Sequence, residues 1–225
     1  MISINKYKTW IFDCDGVILD SNGIKTEAFY EVALPYGKDN AAALVKYHKE
    51  YGGMSRFRKF DYFFKDILKM KVFDNEFARA LEKYGSLVSK KMIGCPESQG
   101  LRSFLGLIPE KIRKIVVSGG MENELRDIFA KRGLSVYFND IYGSPDAKEV
   151  ILKREQKAGM IASPSIFIGD TQYDHECAQK IGADFIFMSG YTEFDGWKHY
   201  CDVKNVIVVQ DLTYLKARLD GGKNS

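Results

Sequence analysis

The chain has 225 residues, 45% of them hydrophobic and 28% charged, and a net charge of +3. This fits one or two globular domains with a full core. The near-balanced charge excludes a nucleic-acid or anionic-membrane partner recruited by bulk electrostatics. No apolar run approaches the roughly 18 residues of a membrane span. The N-terminus "MISINKYKTW" lacks the apolar stretch of a signal peptide. Cys14, Cys95, Cys177 and Cys201 are scattered and form no CxxC, so reduced thiols in a cytoplasmic protein are expected. With three histidines and no Cys/His cluster, a zinc site is not expected, and His175 reads as a solvated loop or helix residue.

The first element is the strand "TWIFD" (9–13), which runs into Asp13 and Asp15. Two like charges so close repel, and a low dielectric raises the cost. A divalent cation beside them, or a proton on Asp15, would relieve it. Strand alternation turns Cys14, between them, into packing.

Residues 20–94 hold no convincing strand. Four helical blocks are predicted, at about 22–35, 39–51, 55–70 and 74–92, punctuated by Pro35-Tyr36-Gly37 and Gly52-Gly53. The stretch carries 14 Lys and Arg against 10 Asp and Glu. It reads as a helical domain inserted after the first strand, with "GCPESQG" (94–100) as the return linker. Phe57, Phe60, Phe64 and Leu68 give its third block an apolar stripe. Gly52 and Gly53 free the preceding loop to reach the core. Ser55 is placed to cap the next helix, and Arg56 stands on its first turn with a guanidinium able to fork onto a ligand.

Beyond residue 95 short apolar runs alternate with helical patterns. Strands are predicted at 114–120, 134–140, 165–170, 183–190 and 205–211. Between them, "MENELRDIFAKRG" carries a Leu125, Ile128, Phe129 stripe that stops at Gly133, and "AKEVILKREQKAG" ends at Gly159. Continuous apolar runs suit parallel strands covered on both faces. The expectation is a doubly wound, Rossmann-like α/β core of residues 1–19 and 95–225, interrupted by a helical domain of residues 20–94. The tail "GGKNS" is expected to be disordered.

In such a sheet, ligands bind beyond the carboxyl ends of the strands. The residues there are Asp13 and Asp15, then Ser118, Gly119 and Gly120, then the "GSPDAK" segment (143–148), then Gly169, Asp170 and Asp174. Carboxylates, a hydroxyl, glycine-rich backbone and a lysine form an inventory for phosphate plus a divalent cation.

"DCDGV" (13–17), "VVSGG" (116–120), the lysine of "GSPDAK" and "GDTQYD" (169–174) fall in the order and on the strand ends of the haloacid dehalogenase-like hydrolase superfamily. The insert resembles that of its subclass with an α-helical cap. The resemblance implies Asp13 as the nucleophile that becomes an aspartyl phosphate. It implies Asp15 as general acid and then base, with its carbonyl on Mg²⁺. Ser118 and the Gly119 N–H would hold phosphoryl oxygens. Lys148 would neutralise charge on nucleophile and phosphate. Asp170 would bind the metal, with Asp174 supporting it directly or through water. Gly53, Ser55 and Arg56 match the cap's substrate-specificity loop. Relatives often have Pro after the lysine, where this chain has Glu149. Lys153 is the rival, turned away from Lys148 by about 140° on a helix of roughly 100° per residue.

An aspartate two residues after the nucleophile argues, by the same resemblance, against C–halogen and C–P cleavage, and no "DKTGT"-like segment is present. A Mg²⁺-dependent phosphatase acting on a small phosphorylated metabolite is the favoured reading, as the commoner activity in the family. A sugar phosphate or a phosphorylated hydroxy acid would suit a closing cap, and no nucleic acid or membrane is implied. A phosphosugar mutase of the β-phosphoglucomutase kind shares all four motifs. A non-catalytic phosphate-binding protein is the alternative of another class.

Overall fold

The structure is a computed structural model that describes residues 3–220; the tail "GGKNS" lies outside the described residues. All four residues of β1 (Thr9–Phe12) are buried. The strand divides its side chains between two cores, Trp10 and Phe12 on one face and Ile11 on the other. A strand buried on both faces belongs in the middle of a sheet, and β1 lies there.

Helices α1 (Asn22–Ala33), α2 (Lys38–Glu50), α3 (Arg56–Tyr62) and α4 (Asp74–Gly94) follow without a strand between them. Their positions match the four predicted blocks, except that the third widens into a π turn over Phe63–Ile67 and stops there. Phe29 ties the group together, with its ring centroid 5.2 Å from that of Phe60 and 4.5 Å from that of Tyr84. The two crossings between this helical insert and the rest of the chain are laced to each other. Ser98 N–H donates to the Ile18 carbonyl at 2.9 Å, and Asp20 N–H donates to the Pro96 carbonyl at 3.0 Å. Leu19 bridges to Asp15 on one side and to Glu97 on the other.

After α5 (Leu101–Leu105) the chain alternates: β2 (Arg113–Met121), α6 (Glu122–Lys131), β3 (Asp140–Ser144), α7 (Lys148–Lys157), β4 (Ser165–Gly169), α8 (Gln172–Lys180), β5 (Asp184–Met188), α9 (Trp197–Lys204), β6 (Ile207–Val209) and α10 (Leu212–Asp220). The strands form one sheet in the order β3-β2-β1-β4-β5-β6. Every pairing is parallel. Side chains of α5, α6 and α10 cover one face, and those of α7 and α8 cover the other.

Two sequence expectations need correction here. The strand predicted at 134–140 is a 3-10 turn over Ser135–Tyr137, and the true strand begins at Asp140. Val136 is 84% exposed, so the apolar letters there do not mark a buried strand. His175 is not solvated: it is buried on α8, with Nδ1 2.9 Å from the Tyr200 hydroxyl and its ring stacked on Phe185. The four cysteines are free and buried. Among the described residues no helix is long and apolar enough to cross a membrane.

Candidate active site

In this strand order the chain switches direction across the sheet between β1 and β4, and a crevice opens beyond their carboxyl ends. Asp13 follows β1 and Asp170 follows β4. Asp174 stands on the first turn of α8, and Lys148 opens α7. All four side chains are buried. Lys148 Nζ lies 2.9 Å from Asp13 Oδ1 and 2.6 Å from Asp174 Oδ1. Asp13 Oδ1 also accepts from the Cys14 N–H at 2.7 Å. Thr171 Oγ1 donates to Asp174 Oδ2 at 2.6 Å, so both oxygens of Asp174 are engaged. Lys148 is thus the lysine of the site, while Lys153 is exposed. Glu149 turns to Tyr173 and Arg58 and leaves Asp13 to Lys148.

Burial pushes the Asp13 carboxyl up to about 7, although Lys148 draws it down. Burial, with Asp13 and Asp174 nearby, drives Asp170 well above the ordinary carboxylate range. Burial disfavours charge on Lys148 too, but those same aspartates outweigh it and hold the ammonium firmly protonated.

Asp15 has a separate set of partners. Ser21 Oγ donates to its Oδ1 at 2.6 Å, and Lys25 Nζ is ion-paired with Oδ2. Burial alone would raise this carboxyl. Lys25 and Ser21 overcome burial and bring it below the ordinary value. Asn22 Nδ2 donates to Asp170 Oδ2 at 2.7 Å and to the Tyr191 carbonyl at 2.9 Å. Ser21, Asn22 and Lys25 lie at the start of the helical insert, so that insert orients both aspartates. Gly16 makes this packing possible. Its φ is +73°, and a Cβ there would lie 2.2 Å from Asp170 Oδ2.

Opposite Asp13, β2 falls out of register with β3 between Val117 and Met121. The backbone of Ser118, Gly119 and Gly120 is thereby released from that ladder. Ser118 is fully buried, and its Oγ accepts from the Gly120 N–H at 3.1 Å. Gly119 and Gly120, rather than the Ser118 side chain, face the cavity. The insert's loop presses directly on them: a Cβ on Gly119 would lie 2.4 Å from the Gly53 carbonyl oxygen. Ser55 and Gly53 line a small recess beside Lys148. Ser55 occupies the N-cap position of α3, but its side chain makes no capping hydrogen bond.

Arg56 is buried, and both terminal nitrogens of its guanidinium are already occupied. It forks onto the Glu124 carboxylate of α6, with Nη1 3.0 Å from Oε1 and Nη2 paired to Oε2. Its guanidinium carbon lies 4.7 Å from the Tyr84 ring centroid. The expectation of a free fork aimed at a ligand is corrected to a bridge between insert and core. Asp13, Asp15, Lys25, Arg56 and Asp170 line one cavity between the strand ends and the helices.

Asp13, Asp170 and Asp174 bring carboxylate oxygens within 4.8 Å of one another. Three carboxylates share the single ammonium of Lys148, which can balance only one of them when they ionise in this buried place. A hard divalent cation fits that donor set and that deficit. The reading from sequence missed Ser21, Asn22, Lys25, Thr171 and Glu124. Ser21 and Lys25 had a signal, being four residues apart and directly downstream of the DxD segment. Glu124 had none, because its partner is 68 residues away.

A sequence profile of the haloacid dehalogenase-like hydrolase family matches residues 10–188. No curated protein matches the chain in sequence. Solved structures resemble it over nearly its whole length. β-Phosphoglucomutase from Clostridium difficile superposes with a TM-score of 0.72 at 19% identity, covering 97% of this chain and 100% of that one. A protein assigned as a phosphoglycolate phosphatase from Lactobacillus plantarum gives 0.68 at 19% identity, covering 94% and 99%. The haloacid dehalogenase-type hydrolase YfnB from Bacillus subtilis, solved with magnesium, gives 0.66 at 19% identity, covering 96% and 99%. At these identities the superpositions speak for the fold, an α/β sheet with a helical cap. With the profile spanning β1 through β5, the chain belongs to the haloacid dehalogenase-like hydrolase family.

Proposed function

We propose that this chain is a Mg²⁺-dependent phosphatase of small organic phosphates, with residues 20–94 as its cap and residues 1–19 and 95–225 as its core. One observation carries the reading: a buried Asp13 is held by Lys148 beside Asp170 and Asp174, while Asp15 is held apart by Ser21 and Lys25. Two aspartates two residues apart thus sit in opposite electrostatic surroundings, as two different roles require.

Asp13 supplies the carboxylate that attacks phosphorus, and the bond from phosphorus to the ester oxygen breaks. Asp15 gives its proton to the departing oxygen. Water then attacks the aspartyl phosphate, Asp15 takes the water's proton, and phosphate leaves with Asp13 restored. Lys25 and Ser21 favour the ionised form of Asp15, the one the second half needs. The first half requires Lys25 to release Asp15 so that it can carry a proton. Lys148 holds Asp13 in place and offsets charge on the phosphoryl oxygens. The Gly119 backbone N–H, at the register break of β2, would donate to those oxygens. Asp13, Asp170 and the Asp15 carbonyl would hold Mg²⁺, with Asp174 behind them, and the ion would supply charge neutralisation to the transferring group.

The test is phosphate release from p-nitrophenyl phosphate and from a panel of phosphorylated metabolites. Turnover that needs Mg²⁺ and vanishes in EDTA is expected. Full activity after confirmed metal removal refutes metal dependence. Isomerisation of a hexose 1-phosphate without phosphate release would identify a mutase instead.

A further inference from the structure

The cavity above Asp13 is lined by several cap cations, and all but one have a carboxylate of their own. Lys25 is paired with Asp15, Arg56 with Glu124, and Lys49 with Glu193 at 3.2 Å. Lys59 is the exception. It lines the same cavity from α3 and is 2% exposed. No described carboxylate lies within 4 Å of its Nζ. Its close polar contacts are His48 Nδ1 at 2.6 Å and the His48 carbonyl at 3.4 Å. Its nitrogen also stands 5.5 Å from the Phe29 ring centroid.

His48 cannot answer the charge. Burial and then Lys59 itself hold the imidazole well below its ordinary pKa, so the ring stays neutral and brings no negative charge to Lys59. Contacts with a neutral ring and a backbone carbonyl cancel no charge. Burying an ammonium without a counter-charge is costly. Burial, reinforced by Lys25, pushes Lys59 down to about 7, although Asp15 and Asp13 nearby draw it up. An apolar side chain would fill the same place at lower cost to the fold. The position makes sense if an anion arrives from the cavity.

We propose that Lys59, positioned by His48, is a specificity-determining residue that binds a carboxylate of the substrate, which makes the substrate class phosphorylated hydroxy acids and sugar acids rather than neutral phosphosugars. This rests on the phosphatase reading of the same cavity. The phosphate goes to the core end, at Asp13, Lys148 and Gly119. The acid goes to the cap end, where one ammonium balances one carboxylate. A second phosphate would bring nearly two charges to a single cation.

The experiment compares substrates that differ only in carboxylate against hydroxymethyl. The pairs are 2-phosphoglycolate with 2-hydroxyethyl phosphate, 3-phosphoglycerate with glycerol 3-phosphate, and 6-phosphogluconate with glucitol 6-phosphate. p-Nitrophenyl phosphate with Mg²⁺ reports the phosphatase chemistry separately. The wild-type protein should prefer the acid in at least one pair by about ten- to a hundredfold in kcat/KM, the weight of one charge-assisted contact. In Lys59→Met the acid-to-neutral ratio should collapse toward one, and Lys59→Arg should retain most of it. Aryl phosphate turnover with no acid preference in any pair overturns this proposal and leaves the phosphatase reading standing. An acid preference that survives intact in folded Lys59→Met also overturns it. No turnover of the aryl phosphate overturns both. A Lys59→Met protein that fails to fold leaves the wild-type ratios, with Lys59→Gln, to decide.

Discussion

Neutralising Asp170 should stabilise the protein without metal and abolish its response to metal. Asp170 is buried between Asp13 and Asp174, and its pKa lies well above the ordinary 3.8. A folded-state pKa above the unfolded one means that the folded chain binds a proton the unfolded chain has given up. Stability from this group is therefore fully present below about pH 4 and is lost as pH rises through the raised value. At pH 8, without metal, Asp170→Asn removes the carboxyl whose ionisation the folded state resists. Asn keeps the shape and can still accept from Asn22. Replacing a poorly compensated buried charge gains about 2 kcal/mol. For a chain of this length that is a rise of about 4–8 °C in Tm. Mg²⁺ at a hundredfold excess over its Kd adds about 2.7 kcal/mol to the wild type, or about 5–10 °C by the same conversion, and little to the variant. Differential scanning fluorimetry at pH 5 and pH 8, with EDTA or Mg²⁺, measures all of these, and the metal-free gain should shrink at pH 5. A variant that melts below wild type in EDTA at pH 8, or one that keeps the full Mg²⁺ shift, refutes the reasoning.

Asp13→Asn should lose turnover entirely and trap no phosphoenzyme in rapid-quench experiments; wild-type turnover would mean that the nucleophile is another group. Lys25→Met removes the cation that holds Asp15 low, so the Asp15 pKa rises and the acidic limb of the kcat–pH profile should move to higher pH; an unmoved limb would detach Lys25 from Asp15's chemistry. Gly119→Ala puts a Cβ 2.4 Å from the Gly53 carbonyl oxygen and must drive the cap loop off the strand end; kcat/KM should fall about a hundredfold or more, a loss of about 2.7 kcal/mol in transition-state binding. Arg56→Ala and Glu124→Ala should each weaken the hold of insert on core, and a double-mutant cycle in urea should give a coupling of about 1–3 kcal/mol. Additive effects would make the fork energetically idle.

Asp13 and Asp170 were legible because each ends a continuous apolar run, and a parallel sheet gathers such ends at one edge. The partners of Asp15 were less legible. Ser21 and Lys25 lie close in sequence, but their inward aim depends on where α1 begins. Lys59 sits in "RFRKF", which reads as an aromatic core stripe beside exposed basic residues. In the folded helix Arg56, Lys59 and Phe60 are all buried, so the inward face is mixed apolar and cationic. The misplaced third strand has a similar cause. "LSVYF" has strand composition, but Gly133 at φ +63° and the 3-10 turn after it delay the strand to Asp140. Arg56 illustrates a limit of another kind: its exposure depends on Glu124, which only tertiary structure brings near.

The lacing of the two crossings has a mechanical consequence. Residues 18–20 and 96–98 are hydrogen-bonded to each other, so the insert hangs from a paired hinge rather than from two independent tethers. Twisting or sliding would break those bonds, whereas swinging about their common line would not. Leu19, inside that hinge, is bridged to Asp15. A swing of the roof would therefore pull on the Asp15 backbone at the hinge while carrying Lys25, the partner of the Asp15 carboxylate, with the insert. Opening would draw the Lys25 ammonium away from the Asp15 carboxylate, so on the mechanism proposed above, access for substrate and protonation of Asp15 would be linked.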